Sequence, residues 1–230
     1  VDLTQTAGSS YKKDVVKLQA KLNRLFREAK KKKLSCVLAF EGWDAAGKGG
    51  AIRRVTPAMD ARDYRIVPIA APNDEERAHH YLWRFWRWMP PDGKMTIFDR
   101  TWYGRVLVER VEGFATEEEW KRAFAEINSF EEQLHKDGVV FLKFWLHIDD
   151  AEQLARFESR KATEYKQFKI TEEDYRNREK RDQYVVAVND MIAQTSTDYA
   201  PWTLVPANDK GFARLTVLRT ICDALEKAME

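Results

Sequence analysis

The stretch "EGWDAAGKGG", residues 41–50, decides the fold. Gly42, Gly47 and Lys48 hold the spacing G-x-x-x-x-G-K of a phosphate-binding loop, with Asp44, Ala45 and Ala46 between the glycines. The next position, where such loops usually carry a hydroxyl residue for magnesium, is Gly49, followed by Gly50. Upstream lies the apolar run "LSCVLAF" (34–40), and a helical pattern opens near Lys48. Strand, glycine-rich turn and helix in that order let backbone N–H groups turn inward around a phosphate, while the helix dipole and Lys48 add positive charge. A chance glycine-rich turn is the plain alternative, and the agreement of motif with context opposes it.

Outward from the loop, four more apolar runs of strand length alternate with helical segments: "RIVPIA" (65–70), "MTIF" (95–98), "VVFLKFWL" (139–146) and "WTLVPA" (202–207). That alternation predicts an α/β fold, a mainly five-stranded parallel sheet sandwiched between helices. Residues 11–33 read as an N-terminal helix with Val15, Val16, Leu18, Leu22, Leu25 and Phe26 as its apolar stripe and a lysine-rich opposite face. That face is either solvated or a guide for polyanions. A helix is expected from Asn73 to Met89, with Leu82, Trp83 and Trp86 turned to the core rather than stacked on nucleic-acid bases. Thr116 with Glu119, and Thr171 with Asp174, have the spacing of helix-start capping pairs.

The chain has 230 residues, enough for one ordinary domain, and a net charge of +2 that calls for neither nucleic acid nor an anionic membrane as partner. Cys36 and Cys222 sit in apolar runs far apart, which suits buried reduced thiols and a cytoplasmic protein. The longest apolar run is broken by Lys143 and is too short for a bilayer. Residues 156–181 are almost purely polar and are expected to form a mobile lid.

Asp44 inside the loop would repel phosphate unless a cation stood between them, so it is expected to replace the missing hydroxyl as a magnesium ligand. A second carboxylate is offered by Asp99, at the end of the strand in "MTIFDRTWYGR", flanked by Arg100 and Arg105 for phosphate charge. On residues alone, an ATP-dependent nucleotide or metabolite kinase, or a non-catalytic polyanion-binding domain, stays open.

"GWDAAGKGG", "FDRTWYGR", "HIDDAEQLARFESRK" and "TSTDYAPWTLVPANDK" together resemble the polyphosphate kinase 2 family, from about Tyr11 to the C-terminus. The resemblance implies a P-loop kinase-like fold with a helical lid, moving phosphoryl groups between inorganic polyphosphate and nucleotides. The form "FDRTWYGRVLVERVEGF" is most similar to members that phosphorylate AMP to ADP, with ADP to ATP as the alternative. It also implies catalytic roles for Asp44, Lys48, Asp99, Arg100 and Arg160, with Asp44 and Asp99 holding magnesium or manganese. Lid contacts to the nucleotide are expected from Arg156, Arg160, Lys161, Lys166 and Lys169. "KQFK" (166–169) departs from the family, which often has Trp in place of Phe168. Such domains also occur fused in pairs, and a homo-oligomer, dimer or tetramer, is expected.

Polyphosphate has no base to recognise, so its site should be a basic groove. The expected groove comprises the loop from Gly42 to Gly50 with Lys48, Arg53, Arg54, Arg100 and Arg105, walled by the N-terminal lysines. An acceptor phosphate is already mostly deprotonated at neutral pH, its second pKa being about 6, which makes a general base dispensable.

Overall fold

All five apolar runs become strands of one parallel sheet in the computed structural model, which describes residues 1–163 and 172–230. They are β1 (Cys36–Gly42), β2 (Tyr64–Pro68), β3 (Met95–Asp99), β4 (Val140–His147) and β5 (Trp202–Pro206), in the order β2-β3-β1-β4-β5. Six of the seven residues of β1 are buried, as befits a central strand covered on both faces. β2 and β5 are the edges, and β2 ends in Pro68, tolerated where no further strand needs its missing N–H.

Helix α1 (Tyr11–Lys31) packs on the C-terminal helix α10 (Lys210–Met229), which in turn packs on α2 (Lys48–Val55), β4 and β5. The other face of the sheet carries α6 (Glu117–Lys136), against β4, and α9 (Arg181–Thr195), against α6. Of the stripe expected on α1, Leu22, Leu25 and Phe26 are buried, but Val16 is 65% exposed. Several lysines expected to wall a groove are engaged within the protein. Lys21 pairs with Glu226 at 2.9 Å, Lys30 with Asp63 at 2.7 Å, and Lys32 Nζ donates to the Met229 carbonyl at 2.6 Å. Cys36 and Cys222 are buried free thiols. Among the described residues, no helix is long and apolar enough to cross a membrane.

The capping pair predicted at Thr116 is formed: Thr116 N donates to Glu119 Oε2 at 2.8 Å and Glu119 N to Thr116 Oγ1 at 3.3 Å. Its counterpart at Thr171 lies outside the described residues. The single helix expected from Asn73 to Met89 is two short ones, α3 (Asp74–Arg77) and α4 (Trp83–Trp86). The break has a local cause. His80 Nδ1 captures the Leu82 N–H at 3.3 Å, and the Trp83 N–H bonds the His80 carbonyl, so side chain and turn compete with the helical ladder. The core face is therefore Leu82 and Phe85, whereas Trp86 is 43% exposed and Trp83 stacks on His79 at 4.0 Å.

The polar window expected to swing out as a lid from residue 156 begins inside a packed helix. In α7 (Asp150–Lys161), Gln153, Arg156 and Phe157 are buried. The described remainder of the window is α8 (Glu172–Glu179) and the start of α9.

Candidate active site

The phosphate-loop motif sits where the sheet order reverses. β1 lies between β3 and β4, so the loop after β1 opens at the C-terminal strand ends, where crossing connections leave a crevice. Parallel pairing sets Phe40 beside Asp99 and Gly42 beside Leu146. At Gly42 only glycine fits, because an added Cβ would stand 2.5 Å from the Leu146 carbonyl oxygen. Gly47 has φ 106°, and even Ala45 is left-handed at 63°, so the loop turns sharply into α2.

Arg156 explains how that turn is held. Its Nη1 donates to the carbonyls of Ala45 and Ala46 at 2.9 and 3.0 Å, and its Nη2 to those of Ala207 and Asn208 at 2.6 and 2.9 Å. Its Nε meets Glu152 at 2.5 Å. With its donors so committed, Arg156 supports the loop from behind rather than contacting a nucleotide from a lid. A peptide carbonyl and the following N–H point in opposite directions. The Ala46 carbonyl held by Arg156 therefore aims the Gly47 N–H away from it, and the N–H groups of Gly47, Lys48 and Gly49 have no hydrogen-bond partner among the described residues. Lys48 Nζ folds back onto the carbonyls of Gly42 and Trp43 at 2.9 and 3.3 Å. An added Cβ at Gly49 would meet nothing within 4 Å, so no clash excludes a hydroxyl residue there.

Asp44 points toward the neighbouring strand's motif. Arg100 Nη2 donates to its Oδ1 at 3.3 Å, and Asn177 Nδ2 on α8 donates to its Oδ2 at 2.9 Å. Arg100 also faces Glu173 on α8 at 3.7 Å and has a left-handed φ of 65°, an uncommon conformation for a side chain of its size. The Asp99 carboxylate has no hydrogen-bond or ion-pair partner among the described residues. Behind these, Glu41 is buried and accepts from Thr101 N and Oγ1, both at 2.8 Å, tying β1 to the segment after β3. Burial raises the Glu41 carboxyl to about 6, against the opposing pull of Lys48 and Thr101.

A cavity of about 790 Å³ extends from this loop across the strand ends. Asp44, Arg100, Arg176, Arg178 and Arg181 are among the residues that line it. Ile69, Phe85, Leu107, Val108 and Phe114 give it apolar lining, and Arg84, Arg105, Glu76 and Glu109 add further charges. Arg105 pairs with Glu109 at 3.2 Å and covers the Tyr81 ring at 4.4 Å, while Arg84 pairs with Glu76 at 3.1 Å. Burial raises the Glu109 carboxyl, and Arg105 and Arg84 oppose that rise.

Of the expected site residues, Ala45, Ala46, Gly47, Lys48, Gly49, Gly50, Arg53, Arg54, Asp99, Arg156, Arg160 and Lys161 are not among the described residues lining this cavity, which meets the loop at Gly42, Trp43 and Asp44. Arg53 and Arg54 occupy the last turn of α2, and Lys161 lies over the Tyr175 ring at 4.7 Å. Lys166 and Lys169 lie outside the described residues. Sequence reasoning missed Glu41, Trp43, Gln153, Asn177 and Glu109. Trp43 donates to His147 Nδ1 at 3.2 Å and lies under Arg181 at 4.3 Å, and Gln153 Nε2 holds the Asp44 carbonyl at 3.1 Å. These contacts of Trp43 and Gln153 have no spacing signal, because each joins elements distant in sequence, whereas Glu109 stands four residues after its partner Arg105, a spacing the sequence does offer.

Among the described residues, no group of three or more His, Cys, Asp or Glu residues could hold a metal by protein ligands alone. Two carboxylates from adjacent strand ends, one already facing a guanidinium, fit a hard divalent ion that takes its remaining ligands from phosphate and water.

Residues 5–230 match the family model described as Polyphosphate kinase 2. A polyphosphate:AMP phosphotransferase of Pseudomonas aeruginosa is 61% identical over 219 residues, covering 95% of this chain and 44% of that protein. An NDP-polyphosphate phosphotransferase of Ruegeria pomeroyi is 36% identical, covering 96% and 74% respectively. The solved polyphosphate kinase 2 of Arthrobacter aurescens superposes with a TM-score of 0.94 at 34% identity, over 99% of this chain and 84% of that one. A solved Pseudomonas aeruginosa chain gives 0.97 at 59% identity, covering 100% and 50%. The chain thus spans a little under half the length of the polyphosphate:AMP phosphotransferases it matches.

Proposed function

The chain belongs to the polyphosphate kinase 2 family, and from that premise we propose that it transfers the terminal phosphoryl group of inorganic polyphosphate to AMP, yielding ADP. The observation that carries this is Asp44, inside the phosphate loop, joined to Arg100 that follows the neighbouring strand, both lining one cavity. Further support comes from relatives at 53–61% identity named polyphosphate:AMP phosphotransferase. ADP as acceptor is the second possibility, favoured by relatives at 36–40% identity named for ADP or NDP.

In this mechanism an α-phosphate oxygen of AMP attacks the terminal phosphorus of polyphosphate. The bridging P–O bond breaks, and the shortened chain leaves with the negative charge. The attacking oxygen is already mostly deprotonated, so no proton needs a base. The work is alignment and charge stabilisation in a loose transition state. Lys48 and the Gly47–Gly49 N–H groups hold the donor's terminal phosphate, and Arg100 neutralises charge between donor and acceptor. Magnesium, or manganese in its place, would be held by Asp44 and Asp99 and would supply further neutralisation there. The remaining polyphosphate runs over basic surface that includes Arg53 and Arg54. A homo-oligomeric, cytoplasmic enzyme fits this activity, and light scattering tests the assembly.

The deciding experiment incubates the purified chain with AMP, polyphosphate and magnesium and follows ADP by phosphorus NMR. ADP formation is expected. ADP made from AMP only when ATP replaces polyphosphate would overturn the proposal in favour of an ATP-dependent kinase. Asp44→Asn is expected to lower kcat at least tenfold and to shift the magnesium dependence; unchanged turnover and dependence would remove Asp44 from this role.

A further inference from the structure

The cavity wall contains two features that phosphate chemistry does not use. The first is Phe114, the most exposed large hydrophobic side chain of the described residues at 70%, standing in the cavity wall. The second is Glu109, a half-buried carboxylate in the same wall. They are held together by one turn: the Ala115 N–H bonds the Glu109 carbonyl at 3.0 Å, and Gly113, at φ 74°, bends the chain so that it closes on itself.

Polyphosphate and the phosphate of a nucleotide present only hydrogen-bond acceptors and negative charge, both of which a carboxylate repels. Glu109 already pairs with Arg105 at 3.2 Å, and the acceptor capacity it has left suits a ligand group that donates. Within a nucleotide, the donors are the exocyclic amine of the base and the ribose hydroxyls. An open aromatic ring in the same cavity wall, on the turn whose backbone bonds back to Glu109, selects between them, since a ring face takes a planar base. In the same wall, the Nε atoms of Arg84 and Arg105 are buried without a hydrogen-bond partner among the described residues, which suits a polar ligand edge there.

We propose that Phe114 and Glu109 form the base subsite, Phe114 stacking on the purine and Glu109 accepting a hydrogen bond from its 6-amino group. The chain then selects adenine over 6-oxo purines, whose oxygen at that position would face the carboxylate. This deepens the nucleotide-acceptor assignment above and rests on it.

The test compares AMP with IMP in the wild type, Glu109→Gln and Phe114→Ala, with melting temperatures confirming that each variant folds. The wild type should prefer AMP in kcat/KM by roughly ten- to hundredfold, the range of a hydrogen bond to a charged group. Glu109→Gln, whose amide can donate to a 6-oxo group, should cut that preference at least about tenfold. Phe114→Ala should raise KM for both nucleotides about tenfold with kcat little changed, the range of one lost stacking contact. The KM for polyphosphate should stay constant in both variants. Calorimetry with adenosine and inosine, which carry no phosphate, reads the subsite without turnover. Adenosine binding that depends on Glu109 supports the subsite even if no polyphosphate is consumed, in which case only the phosphotransfer assignment falls. An AMP-to-IMP ratio unmoved by Glu109→Gln, or an equal loss of adenosine and inosine binding that would place the carboxylate on ribose, overturns it.

Discussion

Glu41 occupies the position before the loop's first glycine, a place no motif assigns. It is buried against Thr101 and carries a carboxyl raised from 4.5 to about 6, chiefly by loss of solvent. Between those values the folded protein keeps a proton that the unfolded chain has released. The stability from that proton is full below pH 4.5 and is lost as pH rises through 6, a difference of about 2 kcal/mol. Glu41→Gln keeps an acceptor for Thr101 and cannot ionise. It is expected to be more stable than the wild type at pH 7 by up to about 2 kcal/mol, and to flatten the pH dependence of the urea midpoint between pH 4.5 and 6. An unaltered pH profile would show that Glu41 is solvated in the native state. At the same scale the identity of the loop was legible in Gly42, Gly47 and Lys48, whose spacing is local. The counterpart that holds it, Arg156, was not, because its four carbonyl partners come from two separate stretches of chain.

Helix α8 lines the cavity and places a side chain on each member of the Asp44–Arg100 pair. Asn177, steadied by Tyr184 Oη at 3.1 Å, gives its amide to Asp44, and Glu173 offers a carboxylate to Arg100. Glu112 anchors the element's end through Lys180 at 2.9 Å and Arg176 at 3.4 Å. A carboxylate facing Arg100 competes with a phosphate for the same guanidinium. Glu173→Gln is therefore expected to lower the KM for polyphosphate about two- to fivefold with kcat within about twofold, a modest effect because both groups are partly solvated. A KM that stays put or rises would remove Glu173 from the donor's path. The five strands were readable because each is a short apolar run between breakers. The 73–89 helix was misread because a histidine ring took over a backbone N–H, a competition that periodicity does not register.

Across the molecule, one buried network ties the site to both sides of the fold. Lys143 on β4 donates to Glu131 on α6 at 2.6 Å, to Tyr103 Oη at 2.8 Å and to the Thr195 carbonyl at the end of α9 at 2.6 Å. Tyr103 and Trp102 also donate to Glu131, so the segment that carries Asp99 and Arg100 is fastened to the core three residues later. Burial raises the Glu131 carboxyl and lowers the Lys143 ammonium. Lys143→Met leaves Glu131 charged and buried, with an expected loss of about 3–5 kcal/mol by urea unfolding. Adding Glu131→Gln should restore at least about 1 kcal/mol by removing that charge. A double variant no more stable than Lys143→Met would show that packing, not charge, carries the network. The sequence by itself determined the sheet, the loop and the family, because alternation of apolar runs and a glycine spacing are properties of contiguous residues. Only the tertiary structure decided what surrounds Asp44, which polar residues are buried and which distant side chains line one cavity. Those depend on groups such as Asp44 and Asn177, 133 positions apart, brought together by packing of the whole chain.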